Sequence, residues 1–161
     1  MPFLKKPPET LGWFHPTTLS ATWFWSGLFP FAPGTAGSAA ALPFAFIIAW
    51  LGQAWWLIPA GLIVFAVGMM VAGSYAKHMG VKDPGPVVID EVAGQFVTLA
   101  LVPVGALPFT EVIGLYVVGF FVFRILDIVK PWPAGWADKE LTGALGIMLD
   151  DLISGFMGMI I

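Results

Sequence analysis

Five apolar stretches, separated by short polar or Pro- and Gly-rich turns, make up most of this chain, and few charges remain to carry them in water. The stretches run over about 38–51 (extending toward 56), 57–75, 87–101, 112–129 and 144–161. Of 161 residues, 58% are hydrophobic and 11% charged, against roughly 25% charged in a soluble domain. A bilayer is the solvent that suits such a chain, and it demands that each backbone polar group be satisfied within a helix or a closed barrel. A helical span needs about 20 residues. The expectation is therefore an all-α, polytopic membrane helix bundle with four to five transmembrane segments. It forms a single domain over 1–161, in which 1–33 is an N-terminal arm and interfacial segment and 34–161 is the bundle.

The beginning of the chain does not read as a cleaved signal. Lys5 and Lys6 are basic, but Pro7, Pro8, Pro16 and Pro30 break up the residues after them, and no uniform apolar core leads to a small-residue cleavage site. Residues 21–31 are rich in Trp and Phe but too short to span, which suits a segment at headgroup level. The net charge of -3 and only seven Lys and Arg argue against a nucleic-acid partner. With no Cys, thiolate catalysis, disulfides and zinc-thiolate sites are excluded. His15 and His78 lack ligand spacing and read as surface residues.

Alternating the loops places the N-terminal arm, the 77–86 loop and the 130–143 loop on one side of the membrane. All seven Lys and Arg lie on or next to that side. Basic residues favour the cytoplasm, so the N-terminus is expected there.

The same topology sorts the ten acids. Glu9, Glu111, Asp138 and Glu140 fall in the arm or loops, where solvation explains them. Asp83, Asp90, Glu91, Asp127, Asp150 and Asp151 instead come to one depth at the cytoplasmic face, although they belong to separate segments. Acids within spans are costly and usually face a polar cavity with partners. Six carboxylates beside two or three cations repel one another, and a divalent ion resolves that conflict. Oxygen ligands without His or Cys select Mg²⁺, with Mn²⁺ and Ca²⁺ as competitors. Adjacent acids on a helix point about 100° apart, so Asp90 and Glu91, like Asp150 and Asp151, divide their duties. Arg124, Asp127 and Lys130 share one face within an arc of about 120°. They read either as a salt-bridged cluster or as a metal ligand between two phosphate-holding cations. The turn Gly34-Thr35-Ala36-Gly37-Ser38 reads as a helix N-cap or, at this membrane level, as an anion cradle.

A metal site beside cations at the cytoplasmic interface suggests chemistry on a lipid headgroup phosphate. Water is the simplest nucleophile, and an aspartyl-phosphate intermediate is the alternative.

The chain resembles the phosphatidylglycerophosphatase A family of bacterial lipid phosphatases. The resemblance is carried by Gly34-Thr35-Ala36-Gly37-Ser38 with Ala41-Leu42-Pro43, by Asp83 with Val88-Ile89-Asp90-Glu91-Val92-Ala93-Gly94, by Phe123-Arg124-Ile125-Leu126-Asp127 running on to Lys130-Pro131-Trp132-Pro133, and by Gly146-Ile147-Met148-Leu149-Asp150-Asp151 ending at Gly155. Thr142 and Ser154 stand where the family often has Gly and Ala. The resemblance implies removal of the terminal phosphate from phosphatidylglycerophosphate to give phosphatidylglycerol. It also implies Mg²⁺ dependence and a multi-pass location in the inner membrane with the site facing the cytoplasm. Carried over residue by residue, Asp90, Glu91, Asp127, Asp150 and Asp151 form the metal-binding pool. Asp83, Glu91 and Asp127 are the catalytic candidates, and Thr35, Ser38, Arg124 and Lys130 would hold phosphate. The rival readings are a phosphatidyltransferase, whose Asp-Gly and Ala-Arg pattern is absent here, a membrane cation carrier, and a structural membrane subunit with salt-bridged helices. Oligomeric state is left open.

The absence of Cys makes the topology directly testable. Single substitutions Val81→Cys and Trp136→Cys should resist a membrane-impermeant maleimide on intact cells and react after lysis, whereas Gln53→Cys should react from outside. The reverse labelling pattern would overturn the orientation.

Overall fold

The computed structural model describes residues 3–161. Among these residues there are seven α-helices and no strand: α1 Pro16–Ala21, α2 Pro33–Leu51, α3 Leu57–Met79, α4 Ile89–Thr98, α5 Phe109–Val129, α6 Ala134–Glu140 and α7 Gly143–Met159. The all-helical membrane bundle expected from the sequence is what the chain forms. Among the described residues three helices, against the four to five spans expected, are long and apolar enough to cross a bilayer: Pro33–Leu51, Ala54–Met79 (α3 with the 3-10 turn before it) and Phe109–Val129.

Their sequences place small residues inside and large ones outside. On α2, Gly37, Ser38, Ala41, Ala45 and Ala49 are buried, while Phe44, Ile47, Trp50 and Leu51 point outward. On α3, Gly61, Gly68 and Ala72 are buried, with Leu57 and Tyr75 the large buried exceptions toward its ends, while Leu62, Ile63, Val67 and Met70 are exposed. Lipid tails are as apolar as Leu, so helices gain by bringing backbones close at small residues rather than by hiding large ones.

The third apolar stretch departs from its expected 87–101 helix. α4 has 10 residues, about 15 Å of rise, or half a bilayer. It is the centre of the bundle, packed against α2, α3, α5 and α7, and nine of its residues are buried. Beyond it, Leu99 and Ala100 continue as buried turn. Non-helical backbone at membrane depth is tolerated where protein covers it. α7 has 17 residues, about 25 Å.

α4 and α7 meet at two glycines. A Cβ on Gly94 would sit 2.5 Å from the Asp151 carbonyl oxygen, and one on Gly155 would sit 2.5 Å from the Gly94 carbonyl oxygen. Only glycine at both positions allows this backbone contact. Thr98 Oγ1 lies 3.0 Å from the Gly94 carbonyl and 3.3 Å from the Gly155 carbonyl, so its single proton is shared across the same interface.

The N-terminal segment is more tightly folded than a strip lying on headgroups. Trp23, Phe24 and Trp25 all have positive φ (42°, 53° and 70°), a conformation that costs a bulky residue energy. Local hydrogen bonds hold it. Thr22 Oγ1 donates to the Thr18 carbonyl and accepts from Trp25 N–H, and Trp25 Nε1 donates to the Trp13 carbonyl at 2.9 Å. The Val88 N–H donates to the Ala21 carbonyl at 2.9 Å, pinning this segment to the start of α4. Phe24, Phe29 and Phe31 remain exposed, as an interfacial segment requires.

Gly155→Val should lower the melting temperature in detergent, with a loss of about 1–3 kcal/mol from overpacking. Gly114→Ala, where an added Cβ meets nothing, should leave it unchanged or raise it. Equal melting of Gly155→Val and the parent would show that the glycine crossing is dispensable.

Candidate active site

The crossing of α4 and α7 decides where the carboxylates go. Residues four apart lie one above the other on a helix face. Asp90 stands one turn before Gly94 and Asp151 one turn before Gly155, so two helices in backbone contact present two carboxylates side by side. Phe123 of α5 touches the Gly94 position, and Asp127 lies one turn beyond it, at the same level. Gly34, in the first turn of α2, closes the group from the fourth side. A Cβ there would collide with the Glu91 carboxylate and come within 3.2 Å of Arg124 Nη1.

These helix ends surround a cavity of about 480 Å³. Asp90, Glu91, Arg124, Asp127, Lys130, Asp150 and Asp151 all line it, as do Lys82 and Asp83 from the α3–α4 loop. Oxygens of Asp90, Glu91 and Asp151 lie within 4.8 Å of one another. Asp90 and Asp151 are buried and Glu91 nearly so. Asp90 Oδ1 accepts the Glu91 N–H at 3.0 Å, and Glu91 Oε2 is buried without a partner among the described residues. Three converging carboxylates, oxygen donors only and one of them unsatisfied, fit a hard divalent cation.

The other two acids are committed to cations. Arg124 Nη1 donates to Asp127 Oδ2 and lies 3.7 Å from Glu91 Oε1. Lys130 Nζ donates to Asp150 Oδ2. It also lies 3.6 Å from Asp127 Oδ1, 3.7 Å from Asp138 Oδ1 and 3.7 Å from Asp151 Oδ1. Burial alone would lower the Lys130 ammonium's pKa. Asp151, Asp150 and Asp127 outweigh that and hold it above the usual lysine value, so it stays charged at neutral pH. Lys130 reaches them from an unexpected backbone position. α5 ends at Val129, and Lys130 caps it with φ of 47°, so helical periodicity does not place this side chain.

Two residues of the α2 turn lie elsewhere. Thr35 and Ser38 are not among the cavity-lining residues. The Ser38 hydroxyl is spent on the Gly34 carbonyl at 2.9 Å. The turn touches the cavity through Ala32, Pro33 and Gly34 instead. Asp138, expected to be a solvated loop acid, lines the cavity and faces Lys130. Its location in the 130–143 loop, on the same membrane side as the other acids, was the available signal.

The phosphatidylglycerophosphatase A family model matches residues 19–161. A phosphatidylglycerophosphatase A of Escherichia coli (strain K12) is 39% identical over 142 residues, covering 88% of this chain and 78% of the relative. One from Haemophilus influenzae is 34% identical over 156 residues, covering 96% and 91%. A Bacteroides thetaiotaomicron relative, provisionally named a phosphatidylinositol-3-phosphatase, is 32% identical over 153 residues, covering 89% of each chain. No solved structure matches the chain.

Lys130→Met leaves at least two buried carboxylates uncompensated. It should cost about 3 kcal/mol, the lower end of the range for breaking a buried pair, because Lys130 keeps 27% of its side-chain exposure. Adding Asp150→Asn should recover part of that loss in a double-mutant cycle read by detergent melting. Strict additivity of the two changes would remove the pairing argument.

Proposed function

The chain belongs to the phosphatidylglycerophosphatase A family, and on that premise we propose that it hydrolyses the phosphate monoester of phosphatidylglycerophosphate, in a Mg²⁺-dependent reaction at the cytoplasmic face of the inner membrane. The products are phosphatidylglycerol and inorganic phosphate. The observation that carries this reading is the meeting, in one cavity at one end of the bundle, of a three-carboxylate group (Asp90, Glu91, Asp151) with two held cations (Arg124, Lys130). A dianionic monoester does not enter a site dominated by carboxylates unaided. Asp90, Glu91 and Asp151 would hold a divalent ion, and its chemistry there would be charge neutralisation and polarisation of phosphoryl oxygen.

The remaining roles come from contacts. Arg124 offers a planar fork suited to two phosphoryl oxygens, and Asp127 holds that fork in place. Lys130, ringed by Asp127, Asp138, Asp150 and Asp151, adds a second fixed positive charge where negative charge develops. Water adds to phosphorus as the bond to the glycerol oxygen breaks, and that oxygen leaves with a proton. Asp83 is exposed and lines the cavity, which suits proton exchange with solvent. Ser38 braces the first turn of α2 rather than the phosphate, through its hydroxyl bond to the Gly34 carbonyl, and Thr35 lies outside the cavity lining.

The test is phosphate release in detergent from phosphatidylglycerophosphate, with Mg²⁺ and with chelator, beside phosphatidylinositol 3-phosphate and phosphatidic acid. Release from the first should depend on metal. Glu91→Gln, Asp127→Asn and Asp151→Asn should each lower it by about a hundredfold or more, the scale of disrupting a catalytic metal centre. Mg²⁺ should also raise the parent's melting temperature by preferential binding to the folded state, and Glu91→Gln and Asp151→Asn should abolish that rise. Metal-independent release, or near-normal activity in these variants, would sink the assignment.

A further inference from the structure

Of the seven Lys and Arg in the chain, three line the cavity: Lys82, Arg124 and Lys130. Arg124 is committed to Asp127 and Glu91, and Lys130 to four acids. Lys82 differs. Among the described residues no carboxylate lies within ion-pair distance of it, and it is exposed where the buried acids are not. Its loop is nonetheless anchored. Pro84 and Pro86 are buried, Val87 N–H donates to the Pro84 carbonyl at 2.8 Å, and Val88 N–H donates to the Ala21 carbonyl. The cavity therefore has one uncommitted positive charge, at its exposed rim, and two committed ones among the buried carboxylates.

A lipid with a phosphate monoester on its headgroup alcohol carries two phosphates of different kinds. The monoester is at the far end of the headgroup, and a diester joins that headgroup to diacylglycerol. Phosphatidylglycerophosphate and phosphatidylinositol 3-phosphate both have this pair, whereas phosphatidic acid has the monoester alone. The deep cations and the carboxylate trio suit the doubly charged monoester. A lysine, a flexible point charge with rotatable donors, suits a singly charged diester held nearer the surface.

We infer that Lys82 binds the phosphodiester of the substrate and so selects lipids that carry a phosphate on each side of the headgroup alcohol. This rests on the phosphatase reading above. It adds a direction to it: the headgroup enters monoester first, with the diester stopping at the α3–α4 loop. The interaction is partly exposed, so its effect is modest and weakens as salt rises.

The experiment compares the parent, Lys82→Ala and Lys82→Arg in mixed micelles, measuring kcat and KM for phosphatidylglycerophosphate and the inhibition constant of phosphatidic acid as competitor. For Lys82→Ala, kcat/KM should fall roughly fivefold, chiefly through KM, the scale of an exposed charge pair. Lys82→Arg should restore most of it, and the inhibition constant of phosphatidic acid should shift by clearly less. An unchanged KM in Lys82→Ala overturns the inference. So does an equal loss of affinity for phosphatidic acid, which would mark a general surface-charge effect. Both outcomes leave the phosphatase reading standing. Failure of the parent to release phosphate from phosphatidylglycerophosphate would instead remove that reading, and this inference with it.

Discussion

The backbone contact between Gly94 and Gly155 is the constraint on which the rest of the site depends. It brings α4 and α7 together without intervening side chains, and the i, i+4 relation then delivers Asp90 and Asp151 to one point. An added methyl at either glycine would displace a helix, and with it a carboxylate. Small residues in this bundle therefore do more than ease packing. The helix separation sets the oxygen–oxygen separation, and so which ion the cluster can hold. Glu91, pressed by Gly34 and facing Arg124, completes the group from a third direction.

Close carboxylates in a poorly hydrated region raise an electrostatic problem that the chain answers in two ways. The cavity lining includes seven acids (Asp83, Asp90, Glu91, Asp127, Asp138, Asp150 and Asp151) against three cations (Lys82, Arg124 and Lys130). Asp127, Asp138 and Asp150 are compensated internally by Arg124 and Lys130. Asp90 has no cation within ion-pair distance among the described residues, and Asp151 and Glu91 lie only at the edge of one, at 3.7 Å. Compensation is thus strong around the cations and weak at the trio, which is where a cation from outside has most to gain. A breakable internal pair also keeps Arg124 and Lys130 in fixed positions before any anion arrives, so less ordering is needed on binding.

Depth was legible in the sequence; direction around each helix was less so. The one-sided distribution of Lys and Arg, with alternating loops, was enough to bring Asp90, Glu91, Asp127, Asp150 and Asp151 to one level. The Asp-x-x-x-Gly pattern shared by Asp90–Gly94 and Asp151–Gly155 also stood in the sequence, but its meaning required knowing that those two helices touch. Partner choice was not readable. That Asp138 faces Lys130, and that Ser38 turns back to its own helix, depends on neighbours from other segments and on a left-handed backbone at Lys130. The length of α4 was hidden for a related reason. Leu99 to Leu101 are as apolar as a helix would require, but the chain turns after Thr98, ahead of Pro103; surrounding protein covers Leu99 and Ala100, while Leu101 is exposed.

The same architecture argues against the cation-carrier reading. A transported ion needs polar groups through the full membrane depth, because a charge at the bilayer centre is costly. Below the carboxylates the bundle is filled mainly by Ala41, Ala45, Leu57, Val92, Phe96, Leu99 and Tyr116; the buried polar side chains there, Gln95, Thr98 and Ser154, are uncharged. The depression at the opposite end is lined by Ala49, Trp50, Gly52, Gln53, Val104, Gly105 and Ala106, none of them charged. An ion at Asp90, Glu91 and Asp151 would have polar access from one end of the bundle and no charged group beneath it. A site of that shape would serve chemistry at that end rather than passage through the bundle, in keeping with the phosphatase reading proposed above.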